Sequence, residues 1–270
     1  MPSQKMLLKP AALTDVGLVR ANNEDYVAVL IDENTELSIA VLADGMGGEA
    51  AGEVASKVCV DSCIKYIEKN KSLRLQTLIR DAINFANEQV YSLAQANPRY
   101  SGMGTTLCLF VFDNINQQAY IGWVGDSRIY HLQSSKKLLK LITRDDTFVN
   151  EMLLHGILDI EAAQNHPDSH LLTQAVGTKP QIECIHVDGP FELDDDDRIL
   201  MTSDGIHDVL DLENDFTNFI SREDLYSVGS GLIEYAKQAS SADNLSAVLL
   251  QANTNRSDKR FGSAMTTRYG

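Results

Sequence analysis

Four segments of the sequence place an aspartate where an apolar, strand-like run ends or begins. "SIAVLADGMGG" runs into Asp44, "YIGWVGDSRIY" carries Asp126, "RILMTSDGIHDVL" carries Asp204 and Asp208, and "SADNLSAVLL" sets Asp243 before its run. A single Asp-Gly pair is explained by a turn, because it tolerates positive φ angles. If packed sheets bring these strand ends together, however, the carboxylates repel one another, and each unpaired buried charge is costly. The pattern therefore predicts a cation among them.

The type of cation follows from the ligands that these segments offer. Carboxylate oxygens dominate and Lys and Arg are scarce, which favours Mg²⁺ or Mn²⁺ over zinc. Upstream, "TDVGLVRANNEDY" contains Arg20 shortly before Glu24 and Asp25. A guanidinium beside a metal cluster can hold a phosphate through two hydrogen bonds. A surface ion pair between Arg20 and Glu24 is the alternative interpretation.

Composition and charge argue against several classes of protein. The chain has 270 residues, 44% of them hydrophobic, which suits one large domain with its own core. A formal net charge of -15 argues against a nucleic-acid binder, because affinity for the phosphate backbone requires Lys and Arg. The four cysteines form no Cys-x-x-Cys pair, and no apolar run suits a signal peptide or a membrane span. We expect a soluble cytoplasmic protein that binds neither nucleic acid nor membrane.

Hydrophobic periodicity predicts helices beside antiparallel strands. Apolar residues recur at helical spacing from Ala51 to Ile67, from Leu75 to Leu93 and within 222–239. Short strand-like runs separated by turns after residue 105 predict antiparallel pairing. Further strands are expected at 26–31, 38–43, 182–187, 198–202 and 245–251, with an irregular segment at 144–170 and a mobile tail at 254–270. Helices without βαβ alternation indicate an α+β layered fold.

Seven segments in a fixed order resemble a known family. They are "DVGLVRANNEDY", "ADGMGG", "GMGTTL", "WVGDSRIY", "LLTQAVG", "MTSDGIHDVL" and "SADNLSAVLL", and they extend over roughly residues 14–251. The set is similar to the metal-dependent protein Ser/Thr phosphatases of type 2C. This resemblance implies a four-layer α-β-β-α sandwich, in which helices flank two antiparallel sheets and a metal site lies at one end. It also implies a catalytic domain over residues 1–253, with a flap-like segment at about 144–170.

The resemblance assigns roles to the candidate site residues by their positions in these motifs. Two metal ions share Asp44, and a third, weaker ion can bind at the additional acidic positions. The motif positions imply that Gly45 offers a carbonyl to one metal, Asp204 and Asp243 hold the other, Asp126 and Asp208 serve the third ion, Glu24 and Asp25 act through metal-bound waters, and Arg20 binds phosphate.

The sequence departs from the family pattern at several positions. Met46 replaces a histidine found in many eukaryotic relatives, so a histidine acid cannot be assigned there. Asp146 stands where the family often has histidine, which leaves its role open. His207 matches a position that packs rather than reacts. We expect surface or flap roles for His155, His166 and His170, and an exposed turn for residues 194–197.

The implied reaction is hydrolysis of phosphoserine or phosphothreonine in proteins by water that two metals activate. An opposing Ser/Thr kinase is the implied partner, and a monomer is expected. A catalytically weak regulatory or binding module on the same fold is the first alternative, and the loss of a metal ligand would favour it. A phosphatase specialised for regulators of transcription is the second.

Overall fold

The computed structural model describes residues 5–32, 34–47, 51–164, 166–222, 224–254 and 265–270. Its strands and helices, in chain order, are β1 (Leu7–Asp15), β2 (Asp25–Ile31), β3 (Leu37–Met46), α1 (Ala51–Lys69), α2 (Leu75–Ala96), β4 (Gly104–Thr105), β5 (Leu107–Asp113), β6 (Gln118–Val124), β7 (Arg128–Gln133), β8 (Leu138–Leu141), α3 (Phe148–Leu154), α4 (Ile160–Gln164), β9 (His186–Phe191), β10 (Arg198–Thr202), α5 (Asp204–His207), α6 (Thr217–Ile220), α7 (Leu225–Gln238), β11 (Leu245–Asn253) and β12 (Met265–Tyr269).

These strands form two antiparallel sheets. The smaller sheet has the order β1-β11-β10-β7-β8, and the larger has the order β12-β2-β3-β5-β6-β9, with the short β4 paired to β3. Short loops join β5 to β6 and β7 to β8, as antiparallel pairing allows. The expected antiparallel arrangement is therefore confirmed.

The strands are buried on both faces, which creates four layers. In β2, Val27 and Val29 point into the space between the sheets, whereas Tyr26 and Ala28 contact the layer formed by α1 and α2. In the smaller sheet, Leu200 of β10 faces the cluster that contains α7, on the outer side. This alternation follows from the two-residue period of a strand. The α-β-β-α sandwich that the sequence predicts is confirmed.

Two strands were not expected from the sequence. β1 contains Pro10, which cannot donate a backbone hydrogen bond, and it lies at the edge of the smaller sheet beside β11. β12 pairs with β2 in the part of the chain where we expected a mobile tail. Residues 255–264 of that tail lie outside the described residues. The strand expected at 182–187 begins only at His186.

The run of four aspartates at 194–197 is a turn, but it is not exposed throughout. Asp197 is only 2% exposed, which corrects the expectation for this residue. Its carboxylate lies 2.9 Å from His131 Nε2 and accepts a hydrogen bond from the backbone of Ser134. A buried carboxylate with these partners joins the turn before β10 to the end of β7.

Candidate active site

Three carboxylates, those of Asp25, Asp44 and Asp204, lie at one end of the sandwich. Asp25 and Asp44 are opposite one another in the register of β2 and β3. Asp204 belongs to the other sheet's side and follows β10 directly, as the first residue of α5. Ser203 donates a hydrogen bond of 2.8 Å to Asp25 Oδ2, so the ends of the two sheets are connected at this point. The sequence pattern of strands that end on aspartates therefore corresponds to one site.

Removal from water and mutual repulsion shift the protonation of this cluster. The pKa of Asp44 is raised well above its ordinary value, first by burial and then by the charges of Asp25 and Asp204. Burial raises the pKa of Asp25 in the same way. Burial and the charge of Asp204 raise the pKa of Asp126 to about 8. Without a cation, simultaneous ionisation of these groups is therefore unfavourable.

Two buried oxygens of the cluster have no hydrogen-bond partner among the described residues. They are Oδ1 of Asp25 and Oδ1 of Asp204. Buried polar atoms are normally paired, and hard divalent cations are bound by oxygen ligands of this kind. Within the described ranges, no three Asp, Glu, His or Cys side chains already converge as a metal-bound set would. The donors nevertheless fit a divalent cation, because the set consists of oxygens that carry excess negative charge and lack partners.

Gly45 and Gly52 allow a close contact beside Asp44. A Cβ at Gly45 would lie 2.1 Å from the carbonyl oxygen of Gly52, and one at Gly52 would lie 2.6 Å from Cδ of Glu24. The backbone of Gly45 donates a hydrogen bond to the carbonyl of Glu24 at 3.1 Å. The absence of side chains therefore lets the first turn of α1 pack against Glu24 and the end of β3.

Arg20 contacts a different acidic residue from the one that the sequence suggested. Its Nη2 donates to Asp243 Oδ2 at 2.6 Å, and about half of its side chain, 51%, remains exposed. Burial lowers the pKa of Arg20, but the charge and the hydrogen bond of Asp243 together outweigh this effect and the pKa is raised. Glu24 makes a smaller contribution in the same direction. The guanidinium therefore lies beside the carboxylate cluster.

Asn244 is a site residue that sequence analysis missed. Its Oδ1 accepts a hydrogen bond from the backbone of Glu24, and its Nδ2 donates to the carbonyls of Val16 and Asn22. It therefore holds the segment that carries Arg20 against the start of β11. Its position directly after Asp243 was the available signal, but the sequence could not show which loop it binds.

Asp126 and Asp208 line the same cleft as the cluster. Asp126 follows Gly125, whose φ of +99° belongs to the region that favours glycine, and Asp126 is 9% exposed. The backbone of Asp208 donates to the carbonyl of Asp204. His170, expected on the surface or flap, is exposed, but its Nδ1 lies 3.2 Å from Asp208 Oδ2. The segment 144–170 therefore reaches the acidic end of the sandwich through His170.

Asp146 and Thr106 accept hydrogen bonds from the backbone beside the site carboxylates. Asp146 is buried, and its Oδ2 accepts a hydrogen bond of 2.9 Å from the backbone of Gly125, next to Asp126. Thr106 Oγ1 accepts a hydrogen bond from the backbone of Asp44, also at 2.9 Å. The departure at Asp146 thus supplies a structural acceptor. Thr106 lies in the "GMGTTL" motif, but its partner could not be read from the sequence.

His207 is buried, and its Nε2 lies 4.0 Å from Oδ1 of Asp208, beyond hydrogen-bond distance. Its Nδ1 contacts Thr202 Oγ1 at 2.8 Å. Burial, followed by the charge of Arg128, lowers its pKa well below the ordinary value. The imidazole is therefore neutral at physiological pH.

The site opens to solvent through a cleft of about 990 Å³. His155 and His166 are not among its described lining residues, whereas His170 is. The candidate site residues that line the cleft are Arg20, Glu24, Asp44, Gly45, Asp126, Asp204, Asp208 and Asp243.

No described helix is long and apolar enough to cross a membrane.

Comparison with known proteins identifies the family. The sequence matches protein phosphatase 2C over residues 19–249. It is 32% identical over 255 residues to the protein phosphatase PhpP of Streptococcus pneumoniae, covering 89% of this chain and 96% of that protein.

Solved structures show the same similarity. The serine/threonine phosphatase Stp1 from Staphylococcus aureus superposes with a TM-score of 0.80 and 31% identity, over 91% of this chain and 95% of that one. The catalytic domain of the phosphatase PstP, solved with two manganese ions, superposes with a TM-score of 0.76 and 30% identity, over 92% and 99% of the chains. With an oxygen-rich site at the end of a matching sandwich, the chain belongs to the protein phosphatase 2C family and is a divalent-metal-dependent protein serine/threonine phosphatase.

Proposed function

We propose that two divalent cations, Mg²⁺ or Mn²⁺, bind at the carboxylate end of the sandwich and that a phosphoserine or phosphothreonine residue is hydrolysed there. The observation that carries this proposal is the group of buried carboxyls with raised pKa values, two of which have an unpartnered oxygen. The proposed ligands are Asp44, Gly45 through its carbonyl, Asp204 and Asp243 for two ions, Asp126 and Asp208 for a third, and Glu24 and Asp25 through water.

The chain's own residues contribute binding and position. When bound, the cations supply positive charge for the phosphoryl oxygens and make water acidic enough to be a nucleophile at neutral pH. Arg20 offers a planar guanidinium at the cleft, and its contact with Asp243 holds it beside the metal ligands. Asn244 fixes the segment that carries Arg20. Asp25 is 1% exposed and lies outside the described lining of the cleft.

Neither His207 nor Met46 supplies the proton for the leaving serine or threonine. His207 is neutral and hydrogen-bonded to Thr202, and Met46 has no proton to donate. Water in the cleft is the proposed donor.

The context of the reaction is also a proposal. The names of the relatives, protein phosphatases of Streptococcus and Listeria among them, support phosphoprotein substrates and hence an opposing Ser/Thr kinase. Four free cysteines and the acidic net charge fit a monomer in a reducing cytoplasm. We further propose that residues 1–253 form one catalytic domain, to which 144–170 contributes the flap.

The experiment is a phosphopeptide assay on the whole chain. Metal-free protein is supplied with phosphoserine, phosphothreonine or phosphotyrosine peptides, with and without Mn²⁺ or Mg²⁺. We expect release of phosphate from the first two classes only when metal is present, and calorimetry should show at least two bound ions. Silence towards every peptide with Mn²⁺ bound would instead favour a regulatory binding module on the same fold.

A further inference from the structure

A cysteine, a histidine and an aspartate form a chain of contacts outside the catalytic cleft. Cys184 is exposed, and its Sγ lies 3.9 Å from Nδ1 of His186. Nε2 of the same imidazole lies 2.7 Å from Oδ1 of Asp146. A nucleophile, a base and a group that orients the base have this order in enzymes with activated nucleophiles. The described lining of the catalytic cleft includes none of the three.

The contacts of Asp146 decide which nitrogen of His186 carries the proton. The Asp146 side chain is 5% exposed, and its Oδ2 already accepts a hydrogen bond from the backbone of Gly125. A carboxylate can only accept, so Nε2 of His186 is the donor to Oδ1. Nδ1 then carries a lone pair that faces the thiol of Cys184. This tautomer is the one that can take a proton from sulfur.

The imidazole ring is held in this orientation by packing. It stacks on Trp123, with ring centroids 4.7 Å apart and an interplanar angle of 16°. Trp123 is itself fixed, because its indole nitrogen donates to the carbonyl of Arg144 at 2.8 Å. Stacking on a fixed indole therefore limits rotation of the imidazole ring.

Two charged groups near Cys184, those of Arg80 and Glu183, have partners of their own. Arg80 of α2 donates to the carbonyl of Ile185, the residue between Cys184 and His186, at 3.2 Å. Glu183, the adjacent carboxylate, is paired with Lys179 at 2.7 Å. The backbone nitrogen of Cys184 donates to Gln174 Oε1, which holds the backbone at this residue in place.

The other three cysteines are chemically different. Cys59, Cys63 and Cys108 are buried. Burial raises the pKa of the Cys63 thiol to about 12 and raises those of Cys59 and Cys108 well above the ordinary value. Because the thiolate is the reactive form and must be accessible, these three are inert in the folded protein.

We propose that Cys184, His186 and Asp146 form a base-assisted thiol site that exchanges with low-molecular-weight disulfides. His186 Nδ1 takes the proton of Cys184, and the thiolate attacks one sulfur of the disulfide R–S–S–R. The bond between the two R-group sulfurs breaks, a mixed disulfide forms on Cys184, and the departing thiolate takes up the proton as R–SH. One disulfide replaces another, so the sulfur of Cys184 rises from the thiol to the disulfide level while the departing R-group sulfur returns from the disulfide to the thiol level. The site is a point of redox modification that is separate from the phosphatase reaction.

The test measures the rate at which glutathione disulfide modifies the whole, folded protein, using intact mass and peptide mapping. We expect one adduct, on Cys184, and none in Cys184→Ser, whose phosphatase activity should be unchanged. His186→Gln should lower the rate at pH 7 by about tenfold, because the base is lost. Its ratio of the rate at pH 7 to that at pH 9 should fall as well, a change that general unfolding would not produce.

Two further variants keep the test specific. Asp146→Asn retains an acceptor for Gly125 but reverses the polarity towards His186, so it should also slow the reaction at pH 7. Asp188→Asn, a carboxylate of the same strand with no contact to His186, is the matched control and should react like the unaltered protein. Equal rates and pH profiles for His186→Gln and the unaltered protein, or modification of another cysteine, would overturn the proposal. Neither outcome bears on phosphatase activity, which is measured in parallel.

Discussion

Two groups of residues build the catalytic cleft in different ways. Asp25 and Asp44 are fixed by the register of adjacent strands, and Asp25 is only 1% exposed. Arg20 and His170 reach the same cleft from loop segments, with 51% and 70% of their side chains exposed, and each has one close acidic contact. The strand-end carboxylates are therefore placed by the backbone, whereas the loop-borne groups depend on single side-chain contacts. We expect the first group to determine whether catalysis occurs and the second to adjust its efficiency.

The largest effect is expected for Asp44→Asn. Loss of the shared carboxylate should reduce kcat on a phosphopeptide by at least about 100-fold, because it removes the ligand proposed for both cations. EDTA should have the same effect on the unaltered protein. Phosphate release with saturating Mn²⁺ measures both.

A matched variant separates chemistry from folding in that experiment. Asp113 is the last residue of β5 and is not one of the cluster residues. The substitution Asp113→Asn should therefore leave kcat unchanged. Since burial and neighbouring charge raise the pKa of Asp44, its ionised form is unfavourable in the metal-free fold. Metal-free Asp44→Asn should therefore melt no lower than the unaltered protein. Full activity in Asp44→Asn would contradict the shared-ligand role.

Arg20→Lys tests the loop-borne group. An ammonium keeps the charge but cannot reproduce the planar two-point contact with a phosphate, so kcat/KM should fall by about tenfold. Steady-state kinetics on a phosphopeptide measures the change. An unchanged kcat/KM would mean that the contact with Asp243 is the whole role of Arg20.

Asp208 lies between the two groups, because it follows α5 directly and the segment 144–170 contacts it through His170. In Asp208→Asn we expect turnover to fall by about fivefold while tight metal binding is retained, because the core ligands are untouched. Calorimetric titration with Mn²⁺ distinguishes the two effects. Loss of the high-affinity phase would show that Asp208 belongs to the core set.

The same contrast explains what could be predicted from the sequence. The two-residue period located most strand ends and an α+β layered fold, and the strand-end aspartates indicated a cluster, whereas the four-layer sandwich and the role of each aspartate came from the resemblance of the motifs to the type 2C family. β1 was not predicted, and its proline is tolerated because the strand lies at the edge of the sheet. Asn244 and the partner of Arg20 could not be predicted, because their contacts join residues more than 200 positions apart.

The pH dependence of stability tests the strand-end group without any catalysis. Burial raises the pKa of Asp126 to about 8 and that of Asp25 to about 7, above the ordinary 3.8. A group with a raised pKa in the folded state stabilises the fold fully below its unfolded value, and that contribution is lost as pH rises through the folded value. The metal-free protein should therefore melt at a lower temperature at pH 8 than at pH 6. Each such carboxyl contributes up to about 1.4 kcal/mol per pH unit.

Metal addition and one variant provide the controls for that prediction. Mn²⁺ should raise the melting temperature more at pH 8 than at pH 6, because the ionised carboxylates are its ligands. Asp126→Asn should flatten the pH dependence of the metal-free form. A metal-free protein that is equally stable at pH 6 and pH 8 would show that the carboxyls are not held protonated.

The smallest effect is expected for His207→Gln, which asks whether a histidine acts as the acid. A serine alkoxide needs a proton to depart, whereas an aryl phosphate such as p-nitrophenyl phosphate departs with little help. His207 is buried, neutral and bound to Thr202 Oγ1, a contact that glutamine can partly replace. Both substrates should therefore slow by a similar factor, within about twofold of each other, as expected when no proton donor is lost. A collapse of phosphopeptide turnover alone would make His207 the acid, and the acid would then come from α5 at the strand ends instead of from water in the cleft.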